Sequence, residues 1–205
     1  MKEFITIEKE EYDEIIEKKS KFIGTIIPIK SVEDAENKIK EIKKKYYDAR
    51  HNCFAYRVID NESIVERSSD DGEPSGTAGA PMLNIIKQKN LCNILIVVTR
   101  YFGGILLGTG GLVRAYSQAT ENAIKKSTLV NKVKGLEVEI ITEYKELEKI
   151  KYFCRIKNIN ISDIKYNEDV TINLELKEED RSLLEDNKNL NFNIKNFRVV
   201  KERYI

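Results

Sequence analysis

Eight of the ten glycines fall between Gly72 and Gly111, together with Pro74 and Pro81, two of the three prolines. A glycine inside a helix or strand costs about 0.5–1 kcal/mol relative to alanine. A folded chain that concentrates glycine in this way must therefore use it in loops whose backbone shape matters. Between the two glycine groups lies a continuous apolar run, NILIVVTRYF (93–102), which fits a strand covered on both faces and hence central in its sheet. Beyond Gly111, Leu112, Ala115, Tyr116, Ala119 and Ala123 mark the inward face of a helix, with Arg114, Gln118, Glu121 and Lys125 outward. A strand, a glycine turn and a helix thus follow one another directly.

The flanking segments are more regular. KFIGTIIPI (21–29) reads as a strand, and Ser31 caps a helix whose apolar stripe is Val32, Ala35, Ile39, Ile42 and Tyr46. NCFAYRVI (52–59) and SIVER (63–67) flank Asp60-Asn61-Glu62 as a hairpin, and a helix is expected around Ala78 to Lys87. TLVNKVKGL (128–136) loses periodicity and reads as a link. After it LEVEII, ISDIKY, VTINLEL and NFNIKNFRVV read as strands, and YKELEKIKYFCRI and EEDRSLLED as helices. The order βαββαβ is the split βαβ arrangement of ferredoxin-like domains.

At 205 residues the chain suits two domains. With 41% hydrophobic and 34% charged residues it is a globular, water-soluble type of sequence. No apolar run approaches the roughly 20 residues of a membrane span, and the acidic start MKEFITIEKEEYDEII lacks the character of a secretory or transit peptide, so a cytoplasmic protein is expected. Three widely spaced cysteines and one histidine, His51, disfavour a disulfide framework, a zinc site or a multi-histidine metal centre; neither metal nor cofactor is expected. The net charge of +1 hides an asymmetry: residues 72–134 carry eight basic against two acidic side chains, while both flanks are mildly acidic. The glycine-rich middle therefore suits an anionic partner. The lysine run 43–45 reads as a solvated helix end.

Two segments could carry chemistry. In TRYFGGILLGTGGLVRAY, a strand running through glycine turns into a helix can aim bare N–H groups and the positive end of the helix dipole at phosphate. Neither the Walker A nor the dinucleotide fingerprint fits, because Thr109-Gly110 and Val113 stand where those motifs need other residues. The candidate anion or nucleic-acid site comprises Arg100, Tyr101, Phe102, Gly103, Gly104, Gly108, Thr109, Gly110, Gly111 and Arg114. Strand alternation puts Arg100 and Phe102 on one face and Tyr101 on the other. The same glycines could instead serve only tight turns and close packing. The second segment, SSDDGEPSGTAGAPM (68–82), gives a secondary candidate site of Asp70, Asp71, Glu73, Ser75 and Thr77, with His51 upstream. Its carboxylates could bond loop amides, or act as acid, base or magnesium ligands. His51 reads as a structural histidine, with a pairing to Cys53 as the alternative.

At DDGEPSGTAGAPML, RYFGGILLGTGGLVRAY and ARHNCFAYR the chain resembles the YigZ/IMPACT family. The resemblance implies an α+β protein. Residues 1–130 would form an IMPACT-type two-layer α/β domain like the second domain of a small-subunit ribosomal protein, and 135–205 a ferredoxin-like domain resembling the last domain of elongation factor G. It also implies a role near translation, since eukaryotic relatives are translation regulators. The expectation is a non-catalytic regulatory protein that binds RNA, the ribosome or a ribosome-associated partner through the glycine-rich loop, with a protein partner on the second domain. The alternative is an enzyme for a small phosphorylated or nucleotide substrate.

Overall fold

The structure is a computed structural model that describes residues 3–61, 63–185 and 190–205. It divides into two compact units, Phe4–Asn131 and Lys132–Ile205, the latter taking in Glu3 as well.

The first unit is built on an antiparallel sheet of strands β2 (Glu11–Glu17), β3 (Ser20–Pro28), β4 (His51–Asp60), β5 (Ser63–Ser69) and β6 (Ile94–Tyr101) in the order β2-β3-β6-β4-β5. The apolar run does lie in the middle. Its alternation serves two cores at once. Ile94, Ile96 and Val98 pack under helices α2 (Gly79–Gln88) and α3 (Gly108–Lys126), while Leu95 and Val97 pack under helix α1 (Val32–Lys45). The mixed α+β class is as the sequence implies. The unit has three layers where two are implied, because Ala35, Ile39 and Ile42 give α1 an apolar stripe that covers the sheet face opposite α2 and α3. Burying each of those isoleucines contributes about 1.5–3 kcal/mol. Ser31 caps α1 by accepting from the Asp34 N–H at 3.1 Å.

Two strands escape the sequence reading. Strand β1 (Glu3–Ile7) is tied at Ile5, whose N–H donates to the Asn90 carbonyl and whose carbonyl accepts from the Cys92 N–H. Strand β2 is an edge strand rich in acids. In the β4–β5 hairpin, Glu62 lies outside the described residues. Among the described residues no helix is long and apolar enough to cross a membrane.

The stretch read as a link is instead the start of β7 (Leu129–Thr142), a strand of 14 residues; its polar first half hides its extended form from a pattern reading. Helix α4 (Leu147–Lys157), β8 (Asn160–Tyr166), β9 (Val170–Lys177), α5 (Arg181–Glu185) and β10 (Asn196–Tyr204) follow. The strands pair antiparallel as β10-β7-β9-β8, the ferredoxin-like order, over a core that includes Val138, Ile140, Ile150, Ile172 and Leu174. The last strand starts five residues later than the pattern suggests, at Asn196, and Asp186 of the expected short helix lies outside the described residues.

Candidate functional site

The first unit brings its two candidate segments to one place. Register does this: in the sheet Arg100 on β6 stands opposite His51 on β4 and opposite Phe22 on β3. Arg100 shares the face of Ile96 and Val98, toward α3, and the loop after β5 brings Glu73 over it. Arg100 Nη1 donates to Glu73 Oε1 at 2.6 Å, and the Tyr116 hydroxyl of α3 donates to the same oxygen at 2.8 Å. Arg100 is 5% exposed and Glu73 9%. The guanidinium lies 5.3 Å from the Phe22 ring centroid and 5.5 Å from that of Phe102. Its Nη2 reaches Ser20 Oγ only at 3.4 Å, and its Nε is buried without a hydrogen-bond partner.

Above this floor opens a cleft of about 440 Å³, whose walls include His51, Pro74, Phe102, Leu106, Gly108 and Thr109. Gly108, Thr109 and Gly110 are exposed, and helix α3 starts from Leu107 with no side chain capping its first N–H groups. The turn is therefore not sealed beneath side chains: Gly108 and Thr109, at the start of a 19-residue helix, line the cleft and are exposed. With Arg50 on the rim, and Arg100 balanced by Glu73, the local field favours an anion.

Other candidates take separate places. Tyr101 turns away, its hydroxyl donating to Asp48 at 2.8 Å, which pushes the phenol up to about 12. The Gly103 N–H is committed to Ser20 Oγ at 3.1 Å, and Gly104 is exposed. Gly111 and Arg114 line a smaller pocket with Lys18 and Gln118. Ser75 is exposed, and the Thr77 hydroxyl donates to the Pro74 carbonyl at 2.7 Å.

The carboxylates of the 68–82 loop diverge. Asp70 accepts from the N–H groups of Gly76, Ala78 and Gly79 at 2.8–2.9 Å, fixing the loop and the start of α2. Asp71 takes the Asn52 N–H at 2.7 Å and the Lys43 ammonium at 2.6 Å. Lys43 is thus an anchor for the loop rather than merely part of a solvated helix end. The Cys53 thiol donates to the Asp70 carbonyl at 3.0 Å, and burial pushes it up to about 12, so it makes a poor nucleophile next to His51. Burial also raises the Tyr116 phenol, with Cys53 and Glu73 adding to the effect, so that it stays a neutral donor.

Sequence reasoning missed Tyr116 and Arg50 as site residues. Tyr116 reads as one of several inward helix positions, and a hydroxyl on a core stripe is the one signal that could have found it.

Fold and cleft together define a protein of two mixed α+β units, the first carrying an exposed, uncapped helix N-terminus beside the cleft. Residues 18–124 match the Impact N-terminal domain and residues 140–186 match a domain of unknown function (DUF1949), and the chain belongs to the IMPACT family. It is 36% identical over 177 residues to the IMPACT family member YvyE of Bacillus subtilis (strain 168), covering 86% of this chain and 81% of that one. It is 40% identical over 131 residues to the IMPACT family member YigZ of Escherichia coli (strain K12), covering 63% of this chain and 64% of that one. A solved structure described as that of a hypothetical protein superposes with a TM-score of 0.63 at 31% identity, over 95% of this chain and 97% of the other.

Proposed function

We propose that this chain is a translation-associated regulatory protein of the cytoplasm whose first unit binds phosphate of RNA, on the ribosome or alone, in the cleft at the start of α3. Membership of the IMPACT family supports the link to translation. The observation that carries the binding role is the exposed, uncapped N-terminus of α3 facing a cleft floored by a buried guanidinium. Phe102, 40% exposed and close to Arg100, offers a ring on which an unstacked base can lie. The second unit would meet a protein partner through α4, where Tyr152 and Ile156 stand exposed. Filter binding of a short single-stranded RNA at several salt concentrations tests this: log K should fall linearly with log salt, as counterion release requires. An absent or salt-independent signal contradicts it.

The enclosed floor of Arg100, Glu73 and Tyr116 favours a second reading, an enzyme for a small phosphorylated or nucleotide substrate. It needs an acid or base other than Asp71, which is bound to Lys43 and Asn52. A thermal-shift screen with nucleotides tests it, since a true ligand at a hundredfold excess over Kd adds about 2.7 kcal/mol of stability.

A further inference from the structure

We infer that the cleft recognises a phosphomonoester, the terminal phosphate of an RNA 5′ end or of a mononucleotide, rather than the internal diester of a continuous strand. The inference rests on the phosphate-binding role proposed above and specifies its ligand.

Three observations carry it. The first is shape. The cleft has a buried floor, with Arg100, Glu73, Leu107 and Leu112 each at most 9% exposed, and an exposed rim that includes Arg50, Pro74, Leu106 and Thr109. A group that reaches the floor passes between these rim residues. An internal phosphodiester carries a ribose on both sides and would be held at the rim, whereas a terminal phosphate has one substituent and can go in first.

The second is the state of His51. Its Nδ1 lies 2.9 Å from the Asp71 carbonyl oxygen, and a carbonyl only accepts, so Nδ1 carries the hydrogen. The ring is fixed in place and its Nε2 is left for the cleft. The Nε2 stands 3.9 Å from Glu73 Oε1, outside hydrogen-bond reach, and that oxygen already accepts from Arg100 and Tyr116. An imidazole oriented this way can share a proton with an incoming phosphate. A monoester has such a proton to share near neutral pH, because its second ionisation lies near pH 6. A diester has none.

The third is the count of donors. A terminal phosphate offers three non-bridging oxygens, and Gly108 and Thr109, exposed at the uncapped start of α3, line the cleft where their amides can meet them. The Arg100 Nε, buried without a partner in the floor, leaves one N–H of the guanidinium unclaimed beneath the cleft. The apolar side of the cleft, Phe102 and Leu106, would face the nucleoside.

The test compares one short oligoribonucleotide with a 5′-phosphate and with a 5′-hydroxyl, and a nucleoside 5′-monophosphate as competitor. The phosphorylated strand should bind at least about tenfold tighter, the mononucleotide should compete, and Thr109→Glu and His51→Gln should each erase the preference. Thr109 is exposed, so Thr109→Glu keeps the fold and the result readable if His51→Gln does not. A preference without competition assigns the site to RNA ends, and tight binding of the mononucleotide alone assigns it to a small ligand; both support a monoester site. Equal binding of the two strands overturns the inference while leaving the RNA role intact. If neither strand nor mononucleotide binds, both fall.

Discussion

Arg100 and Glu73 form a buried ion pair, Nη1 to Oε1 at 2.6 Å, with side chains 6% and 3% exposed, between the central strand and the loop that precedes α2. The pair joins the two glycine-rich segments and sets the floor of the cleft. Removing one partner leaves a buried charge unmatched, which costs about 3–5 kcal/mol. Glu73→Ala should therefore lower unfolding stability by that order in urea. Glu41→Ala, which removes the exposed partner of Lys38, should change it by about 0–1 kcal/mol. Equal, small losses in both would show that the Arg100 pair is not a structural element.

The Asp70 carboxylate gives stability an acid-side dependence. Burial alone would raise it, but the N–H groups of Gly76, Gly79 and Ala78 outweigh burial and hold the carboxyl below its ordinary value of 3.8. A group depressed on folding contributes fully above its unfolded value and loses that contribution as pH falls through the folded value. Asp70→Ala should thus cost about 0.5–2 kcal/mol at neutral pH. The gap to the unaltered protein should close below pH 3.8. Denaturant titrations at several pH values check this, and a gap independent of pH contradicts it.

Much of this was legible in the sequence, and what was not has a common cause. The central strand, the Ser31 cap and the α3 stripe announce themselves through local pattern. Arg100 also looked like a phosphate ligand, being a guanidinium next to aromatic rings. That Glu73 claims its Nη1 depends on the pairing of β4 with β6 and on the path of a loop, neither of which is encoded within a few residues of either partner. Strand β2 was missed because an edge strand with acids at Glu11, Asp13, Glu14 and Glu17 has no continuous apolar face, and the start of β7 was missed for a similar reason.

All three cysteines are buried, at 0–1% exposure. Burial pushes Cys53 up to about 12 and Cys154 up to about 11, and raises Cys92. A thiol-specific reagent at neutral pH should label none of them in the folded protein and all three in denaturant. Rapid labelling of Cys53 in the native state would mean that the 68–82 loop opens.

Two adjacent glycines should respond very differently to alanine. A Cβ on Gly103 would fall on the backbone of Lys19 and Ser20, so Gly103→Ala must displace the β2–β3 turn and should lower stability severely. Gly104 has open space but a φ of +85°, and Gly104→Ala should cost about 1–2 kcal/mol from the left-handed conformation alone. Thermal unfolding of the two variants ranks them, and a more damaging Gly104→Ala would contradict this placement of the loop.

The claim on which the functional account turns is that the first amides of α3 receive the phosphate. Backbone amide chemical shifts followed during titration with a short 5′-phosphorylated RNA examine it directly. The account predicts that Gly108, Thr109 and Gly110 move furthest, with His51 beside them. Shifts centred on Arg114 or on the second unit, with these amides unmoved at saturation, would contradict it.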